Sequence, residues 1–263
     1  MKLTVHFVNA FTDSVFKGNA AAVIVTDNWL SESLMQLIAS ENNLSETAFV
    51  VADIDNIYNI RWFSPITEID FCGHATLASA FVLFNQNTGW MSLTFRAKAV
   101  GDLHVIKKSK GQIEMDFPNR KPTIIDKIPQ ALLQGLSVSP IEVYCNKQAY
   151  FVIYPHENDV RAVITKSEEL KKLAPFDVVV TAMAEDYDFV SRYFWPANGG
   201  DEDAVTGSIH AGLAPFWAQK LGKNELLAYQ ASARGGQLAC VVNDERVKIS
   251  GQAVLYLTGT VNI

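Results

Sequence analysis

Two short segments of small residues carry side chains that can do chemistry. The first is Cys72-Gly73-His74-Ala75-Thr76, and the second is Thr206-Gly207-Ser208. Each precedes an apolar stretch, so we expect a helix to begin at Gly73 and another near Gly207. The first N–H groups of a helix lack partners within it and carry partial positive charge. The two turns are therefore candidate sites for an anionic group, typically a carboxylate, although they can also be ordinary turns and caps.

The polar residues at these turns have two interpretations. A neutral His74 can donate a hydrogen bond to a substrate oxygen, or it can bond to a nearby loop. Asp203, at the end of Asp201-Glu202-Asp203, either complements the helix dipole or binds a substrate amine or hydroxyl. The hydroxyls of Thr206 and Ser208 leave the same two alternatives open.

Two further residues are candidates for proton transfer. Glu46 directly precedes an apolar strand predicted at residues 47–51, and a carboxylate at the end of a buried strand can exchange a proton near neutral pH. Glu41 is a similar acid that local sequence cannot distinguish from Glu46. Cys72 lies at a predicted helix start, a position that can activate a thiol. The corresponding segment Ala204-Val205-Thr206-Gly207 has no cysteine, so a two-thiol racemase mechanism lacks its second thiol.

A metal site is not expected from the spacing of potential ligands. Asp201, Asp203, His74 and His210 could converge in the fold. Their spacing, however, matches no known ligand pattern, such as two histidines one helical turn apart. We therefore predict that no metal is bound.

An internal repeat indicates how these residues are positioned. Arg61-Trp62-Phe63-Ser64-Pro65 and Arg192-Tyr193-Phe194-Trp195-Pro196 are two versions of one motif, and the segments that begin at Gly101 and Gly236 also match. The offset stays between 131 and 135 residues, about half of the 263 residues. Two long copies of one unit predict two similar lobes related by a pseudo-twofold axis, with a cleft between them.

We place the lobes at residues 1–117 and 118–263, with the alternative that the last strand, near 253–258, returns to the first lobe.

Three helices are predicted within these lobes. In the first lobe, Ser31 is a candidate N-cap for a helix to about Glu41. Residues 73–84 are small or apolar on every side, which predicts a fully buried helix. In the second lobe, a helix over 209–221 contains Pro215, where we expect a kink or an early end.

Composition argues against several functional classes. The net charge is −6 and no dense run of Lys or Arg occurs, so nucleic acid and anionic membranes are not expected as partners. Three scattered cysteines cannot form a disulfide framework, which favours a reducing, cytoplasmic location. Residues 1–8 are typical of a strand and not of a signal peptide. No stretch approaches the roughly 20 apolar residues that span a bilayer.

Five segments form a characteristic set, in this order along the chain: Gly18-Asn19, Ser45-Glu46-Thr47-Ala48-Phe49, Phe63-Ser64-Pro65 with Glu68, Cys72-Gly73-His74-Ala75-Thr76 and Gly200 to Ser208. Together they resemble the PhzF-like (phenazine biosynthesis-like) isomerases, which belong to the diaminopimelate epimerase structural class. The resemblance covers essentially the whole chain. It implies an α+β fold with two lobes, each a partly open β-barrel around one central helix, and an active site between them. It also implies a homodimer without cofactor or metal.

The resemblance also implies roles for individual residues. Glu46 matches the acid/base of the family, and His74, Asp203 and Ser208 match further site residues. Of the two cysteines that transfer protons in the related epimerases, the first persists as Cys72 and the second falls on Ala204.

The sequence thus predicts a cofactor-independent isomerase that moves a proton on a small carboxylate by single-residue acid/base catalysis. In this interpretation Glu46 transfers the proton, while His74 and Asp203 orient the substrate. The substrate is bound by Gly73, Thr206, Gly207 and Ser208. Two alternatives remain open, namely an amino-acid racemase or epimerase that uses Cys72, and a non-catalytic binding or scaffold protein with the same fold.

Overall fold

The computed structural model describes all 263 residues and divides the chain into two compact units. The N-terminal unit contains Met1–Asp116 together with Ser250–Ile263, and the C-terminal unit contains Phe117–Ile249. No helix in either unit combines the length and the apolar character needed to cross a membrane.

The N-terminal unit surrounds one buried helix with strands. Its elements are β1 (Lys2–Ala10), β2 (Asn19–Thr26), α1 (Glu32–Asn42), β3 (Glu46–Ala52), β4 (Ile57–Phe63), β5 (Glu68–Ile69), α2 (Gly73–Gln86), β6 (Ser92–Ala97), β7 (Gly101–Lys107), β8 (Ile113–Pro118) and the last strand of the chain, β18 (Ala253–Asn262). A short 3₁₀ turn, Ser109–Gly111, joins β7 to β8. Strand β1 pairs with both β2 and β18. Strands β2 and β3 are parallel, as are β4 and β6, and the hairpins β3–β4, β6–β7 and β7–β8 are antiparallel.

Helix α2 is buried on almost every side, as its sequence predicts. Ala75, Ala78, Ser79 and Ala80 are all fully buried, and their small side chains let the strands approach the helix closely. The predicted cap of α1 is also confirmed, because the Ser31 hydroxyl accepts a hydrogen bond from the Leu34 amide at 3.3 Å.

The C-terminal unit begins with small elements and ends with a second buried helix and three strands. Its elements are β9 (Thr123–Ile124), α3 (Gln130–Gly135), β10 (Glu142–Cys145), β11 (Ala149–Ile153), α4 (Glu157–Ala162), α5 (Ser167–Leu170), β12 (Asp177–Met183), β13 (Phe189–Trp195), β14 (Gly200–Asp203), α6 (His210–Leu221), β15 (Glu225–Gln230), β16 (Gly236–Val242) and β17 (Arg246–Gly251). A 3₁₀ turn, Lys171–Leu173, follows α5.

The two units repeat one order of elements and one pattern of pairing. In the first, the β3–β4 hairpin is followed by β5, α2 and then β6, which runs parallel to β4. In the second, the β12–β13 hairpin is followed by β14, α6 and then β15, which runs parallel to β13. The matching glycines Gly101 and Gly236 begin β7 and β16, respectively. The predicted α+β fold, with strands forming a partly open barrel around a central helix in each lobe, is therefore confirmed.

The expected early end of the helix at Pro215 is wrong, because α6 continues through this residue from His210 to Leu221. Proline has no N–H, so the carbonyl four residues earlier, that of Ala211, loses its usual helical partner. The Arg120 amide donates to this carbonyl at 3.0 Å instead. A contact distant in sequence thus replaces the hydrogen bond that the proline removes.

The final strand lies in the N-terminal unit, although the sequence pattern also allowed it to complete the second lobe. Strand β18 is antiparallel to β1 along the whole of Lys2–Ala10, with one irregularity between Phe7 and Val8. The chain therefore leaves the N-terminal unit after β8 and returns to it with its last residues.

Candidate functional site

In the N-terminal unit, Glu46, Cys72 and His74 form a buried cluster. The exposed fraction is 6% for Glu46, 6% for Cys72 and 4% for His74. Oε2 of Glu46 lies 2.9 Å from Nε2 of His74, and Sγ of Cys72 lies 3.4 Å from Nδ1 of the same ring. One potential ligand atom from each of the three side chains lies within 4.8 Å of the other two. The sequence-predicted residues Glu46 and His74 are therefore brought together.

The cluster forms because a strand and a helix begin side by side. Glu46 is the first residue of β3 and is paired with Ala21 of the parallel strand β2. Helix α2 lies against β1, β2 and β3, and Cys72 and His74 flank its first residue, Gly73. The Thr76 amide and hydroxyl both donate to the Cys72 carbonyl, which fixes the first turn of the helix. The first amides of α2 have no partners within the helix.

The carboxylate of Glu46 is an unusual buried group. Its Oε2 atom is inaccessible to solvent and has no well-directed hydrogen-bond donor, although the His74 ring nitrogen lies close to it. Burying a charged oxygen without a donor is unfavourable, so such groups are rare outside functional sites. This oxygen keeps a lone pair available for a proton. Glu41, which the sequence could not distinguish from Glu46, lies on the exposed face of α1.

His74 is held between the carboxylate and a side-chain amide that the sequence did not assign to the site. The side-chain nitrogen of Asn19 lies 3.1 Å from Nδ1 of His74. Burial alone lowers the pKa of His74, but Cys72 and Glu46 beside it raise that pKa well above its ordinary value. The only sequence signal for Asn19 was its place in the Gly18-Asn19 motif.

Cys72 is a poor thiolate in this environment. Burial, followed by the nearby charge of Glu46, raises the pKa of the Cys72 thiol to about 11. His74 and a hydrogen bond from the Ala75 amide act in the opposite direction and lower this pKa, but their effect is smaller. At neutral pH the side chain is consequently a thiol, which disfavours direct nucleophilic or base chemistry.

In the C-terminal unit, Asp203 and Thr206 are joined by a short hydrogen bond. The Thr206 hydroxyl donates to Oδ2 of Asp203 at 2.5 Å. Fully buried Gln230 fixes this loop from β15, because its side-chain oxygen accepts from the Thr206 amide and its nitrogen donates to the Asp203 carbonyl, each at 2.9 Å. Sequence reasoning did not identify Gln230, whose strand position gives no local sign of this role.

Ser208 belongs to a separate hydrogen-bond chain in the same unit. The side-chain nitrogen of Gln148 donates to the Ser208 hydroxyl oxygen at 3.0 Å and to the Tyr193 hydroxyl at 3.2 Å. Tyr193 in turn donates to Oδ2 of Asp177 at 2.5 Å. Because the Ser208 oxygen accepts from Gln148, its own hydrogen remains available for another acceptor. Gln148 and Asp177 were not identified from the sequence.

The second predicted helix start is a turn that precedes the helix. The amides of His210 and Ala211 donate to the carbonyls of Gly207 and Ser208, both at 3.2 Å, so residues 207–209 form a 3₁₀-like turn before α6. The His210 ring lies inside the unit, with Nδ1 2.9 Å from the Thr206 carbonyl. Burial lowers the pKa of His210 to about 4, so the ring is neutral and Nδ1 donates.

The carboxylates considered as partners for a metal take other roles. Asp201 accepts a hydrogen bond from the Ser167 hydroxyl at 2.6 Å. Asp203 accepts from Thr206, as described above. His210 is fully buried in the C-terminal unit. Of the set Asp201, Asp203, His74 and His210, only His74 lies in a group of side chains that could hold a metal, and its neighbours there are Glu46 and Cys72.

Comparison with known proteins places the chain in a family. The model of the phenazine biosynthesis-like protein family (PhzC-PhzF) matches residues 8–259. A curated relative, an uncharacterized isomerase of Pseudomonas aeruginosa, is 45% identical over 263 residues and is matched over the full length of both chains. The crystal structure of a PhzF family protein from Enterococcus faecalis has a TM-score of 0.95 and 43% identity, with complete coverage of both chains.

A more distant structure shares the fold alone. A hydroxyproline epimerase from Agrobacterium vitis has a TM-score of 0.61 at 10% identity, covering 99% of this chain and 92% of that one. The full-length matches confirm the resemblance seen in the motifs and support an isomerase-type enzyme. With 252 of its residues inside one family model and relatives above 40% identity, the chain belongs to the phenazine biosynthesis-like protein family.

Proposed function

We propose that this protein is a cofactor-independent isomerase that moves a proton on a small carboxylate substrate, with Glu46 as the single acid and base. The observation that carries the proposal is the buried Oε2 atom of Glu46, which has no directed donor and lies beside His74. Relatives named as isomerases support the reaction class. The scaffold alternative is disfavoured because a non-catalytic protein has no need to keep such an unfavourable group.

The proposed reaction is a proton transfer within one substrate molecule. Oε2 of Glu46 removes a proton from a carbon next to a carbonyl or an unsaturated group, and the electron pair of the broken C–H bond moves into that group. The resulting negative charge is stabilised by the unpaired amides at the start of α2, including that of Gly73. Protonated Glu46 then returns the proton to another carbon of the same molecule. No electron or proton is gained or lost overall.

His74 is proposed to orient the catalytic carboxylate. Nε2 of His74 lies 2.9 Å from Oε2 of Glu46. Asn19 contacts the other ring nitrogen, Nδ1, at 3.1 Å and so keeps Nε2 beside the carboxylate.

Residues of the C-terminal unit are proposed to bind the substrate. Ser208 has a hydroxyl hydrogen available for a carboxylate oxygen, and the turn at Gly207 presents amides without partners in the turn. Asp203 and Thr206 are proposed to orient the substrate at the end of β14. The action of these residues and of Glu46 on one substrate stays a prediction, as do the homodimer and the cytoplasmic location.

A racemase or epimerase that uses Cys72 is the second candidate. It is favoured by the position of Cys72 against His74, at 3.4 Å. Against it stand the pKa of Cys72, raised by burial to about 11, and the alanine at position 204. A thiol mechanism requires Cys72→Ser to abolish turnover, whereas one-base catalysis by Glu46 requires most turnover to remain.

The test uses exchange of substrate hydrogen for solvent deuterium. Small cyclic and amino carboxylates are incubated with the protein in D₂O, and deuterium incorporation is followed by NMR or mass spectrometry. Glu46→Gln keeps the size of the side chain but cannot accept the proton, so turnover should fall at least ~100-fold while binding persists. Glu41→Gln removes an exposed carboxylate of the same type and should change turnover little. If both variants behave alike, Glu46 is not the base.

A further inference from the structure

We propose that Glu46, Cys72 and His74 form a three-ligand site for a zinc-class divalent cation, which acts on this protein as an inhibitor. The binding itself does not depend on the proposed function, whereas the inhibition rests on the role of Glu46 as the base. No sequence pattern predicts a metal here, because Glu46 lies more than 20 positions before Cys72 and His74.

The positions of the ligand atoms fit one small cation. Nε2 of His74 lies 2.9 Å from Oε2 of Glu46 and 3.9 Å from Sγ of Cys72. Zinc bonds of about 2.0–2.3 Å in a tetrahedral arrangement place ligand atoms roughly 3.5 Å apart. The observed separations lie on both sides of this value, so small side-chain rotations suffice to form the site.

A second observation points to a ligand at this place. Oε2 of Glu46 is buried and has no well-directed donor, and the Glu46 side chain is only 8% exposed. A bound cation satisfies such an oxygen directly. The three ligating side chains also leave the fourth tetrahedral position for water, which is the arrangement of open zinc sites.

The donor set selects the kind of metal. One thiol sulfur, one imidazole nitrogen and one carboxylate oxygen are ligands of borderline-soft ions such as Zn²⁺ and its analogues Co²⁺ and Cd²⁺. Mg²⁺ and Ca²⁺ require mainly oxygen ligands in larger numbers, so neither ion should compete. Because thiols bind metals as thiolates and imidazole binds through an unprotonated nitrogen, metal binding releases the Cys72 proton and any proton on Nε2 of His74 to solvent.

Occupation of this site removes the two groups that the proposed reaction needs. The metal takes the lone pair of Glu46 that otherwise accepts the substrate proton, and it takes the His74 nitrogen that faces this carboxylate. Inhibition should therefore be reversed by a chelator such as EDTA. Turnover of the EDTA-treated protein then provides the reference value.

Binding can be tested without a substrate. The purified, EDTA-treated chain is titrated with Cd²⁺ while the ultraviolet thiolate-to-metal charge-transfer band is recorded, and Zn²⁺ affinity is measured by competition. We expect one equivalent of Cd²⁺ to generate the band and Mg²⁺ to leave it unchanged. Glu46→Gln and His74→Gln should each weaken Zn²⁺ affinity at least ~10-fold, since even indirect supporting contacts of metal ligands contribute this much.

A matched cysteine variant locates the site. Cys72→Ser should abolish the band, whereas Cys240→Ser, which removes another buried thiol, should keep it. Circular dichroism identifies any variant that fails to fold, and the remaining variants still decide the question. The proposal is overturned if no band forms, if the band survives in Cys72→Ser, or if Glu46→Gln and His74→Gln both bind Zn²⁺ like the parent chain. If the parent chain binds Zn²⁺ but still exchanges substrate hydrogen for deuterium at the full rate, the role of Glu46 as the base is contradicted, whereas the metal site itself is confirmed.

Discussion

Lowering the pH from about 7.5 to about 5 should destabilise the C-terminal unit through His210. The side chain is fully buried, and its Nδ1 donates to the Thr206 carbonyl at 2.9 Å. Its Nε2 is also buried and has no hydrogen-bond partner. A proton added at Nε2 would therefore place an uncompensated charge inside the unit, next to the ring of Phe189, which stacks on the imidazole.

The size of the effect follows from the difference between the two pKa values. Burial lowers the pKa of His210 from 6.5 to about 4 in the folded protein. Between these values the unfolded chain binds more protons than the folded one, so stability falls as the pH falls. The expected loss of stability is negligible at pH ~7.5, about 2 kcal/mol at pH ~5, and about 3 kcal/mol below the folded pKa. This loss disappears as the pH rises through 6.5, the ordinary pKa of the unfolded side chain.

Urea unfolding of the parent chain and of His210→Asn, each at both pH values, measures this contribution. Asparagine retains a donor for the Thr206 carbonyl but does not titrate, so His210→Asn should lose about 2 kcal/mol less than the parent on acidification. Taking the difference also removes the contribution of His74, whose raised pKa has the opposite sign. His104→Asn, which removes an exposed histidine, is the control. The reasoning is refuted if His210→Asn and the parent chain show the same pH dependence.

Two further substitutions test the framework of each unit. Arg192→Met should lower the free energy of unfolding by about 2–3 kcal/mol in urea titrations. The substitution removes the guanidinium that contacts the Glu202 carboxylate at 2.8 Å and the Val163 carbonyl at 2.9 Å. An unchanged unfolding midpoint would contradict this. Gly18→Ala should lower the melting temperature more than Gly222→Ala does. Both glycines have φ near +67°, but only at Gly18 would a Cβ lie 2.2 Å from a backbone oxygen, that of Ala10.

Features that depend on neighbouring residues could be predicted from the sequence. The small and apolar residues of 73–84 specified a helix that must be buried on every side, and Ser31 specified the cap of α1. The repeated motifs at Arg61 and Arg192 predicted two copies of one unit, and these motifs lie in the equivalent strands β4 and β13. The helix and its cap depend only on residues within a few positions, and the repeat is visible when two segments of the chain are compared, so none of these predictions needed a tertiary contact.

Other features were decided by tertiary structure. Helix α6 continues through Pro215 because Arg120, distant in sequence, donates to the Ala211 carbonyl. Strand β18 lies in the N-terminal unit because β1 offers it a complete antiparallel partner.

The supporting residues of the candidate site were decided in the same way. Asn19 contacts His74 across 55 positions, and Gln148 contacts Ser208 across 60. An amide side chain has no periodicity or spacing that reveals its partner. Its role exists only once folding has brought the two positions within hydrogen-bond distance and has removed the water that would otherwise satisfy them. The sequence could therefore indicate which residues are candidates for proton transfer, whereas only the folded chain determined which groups hold them in place.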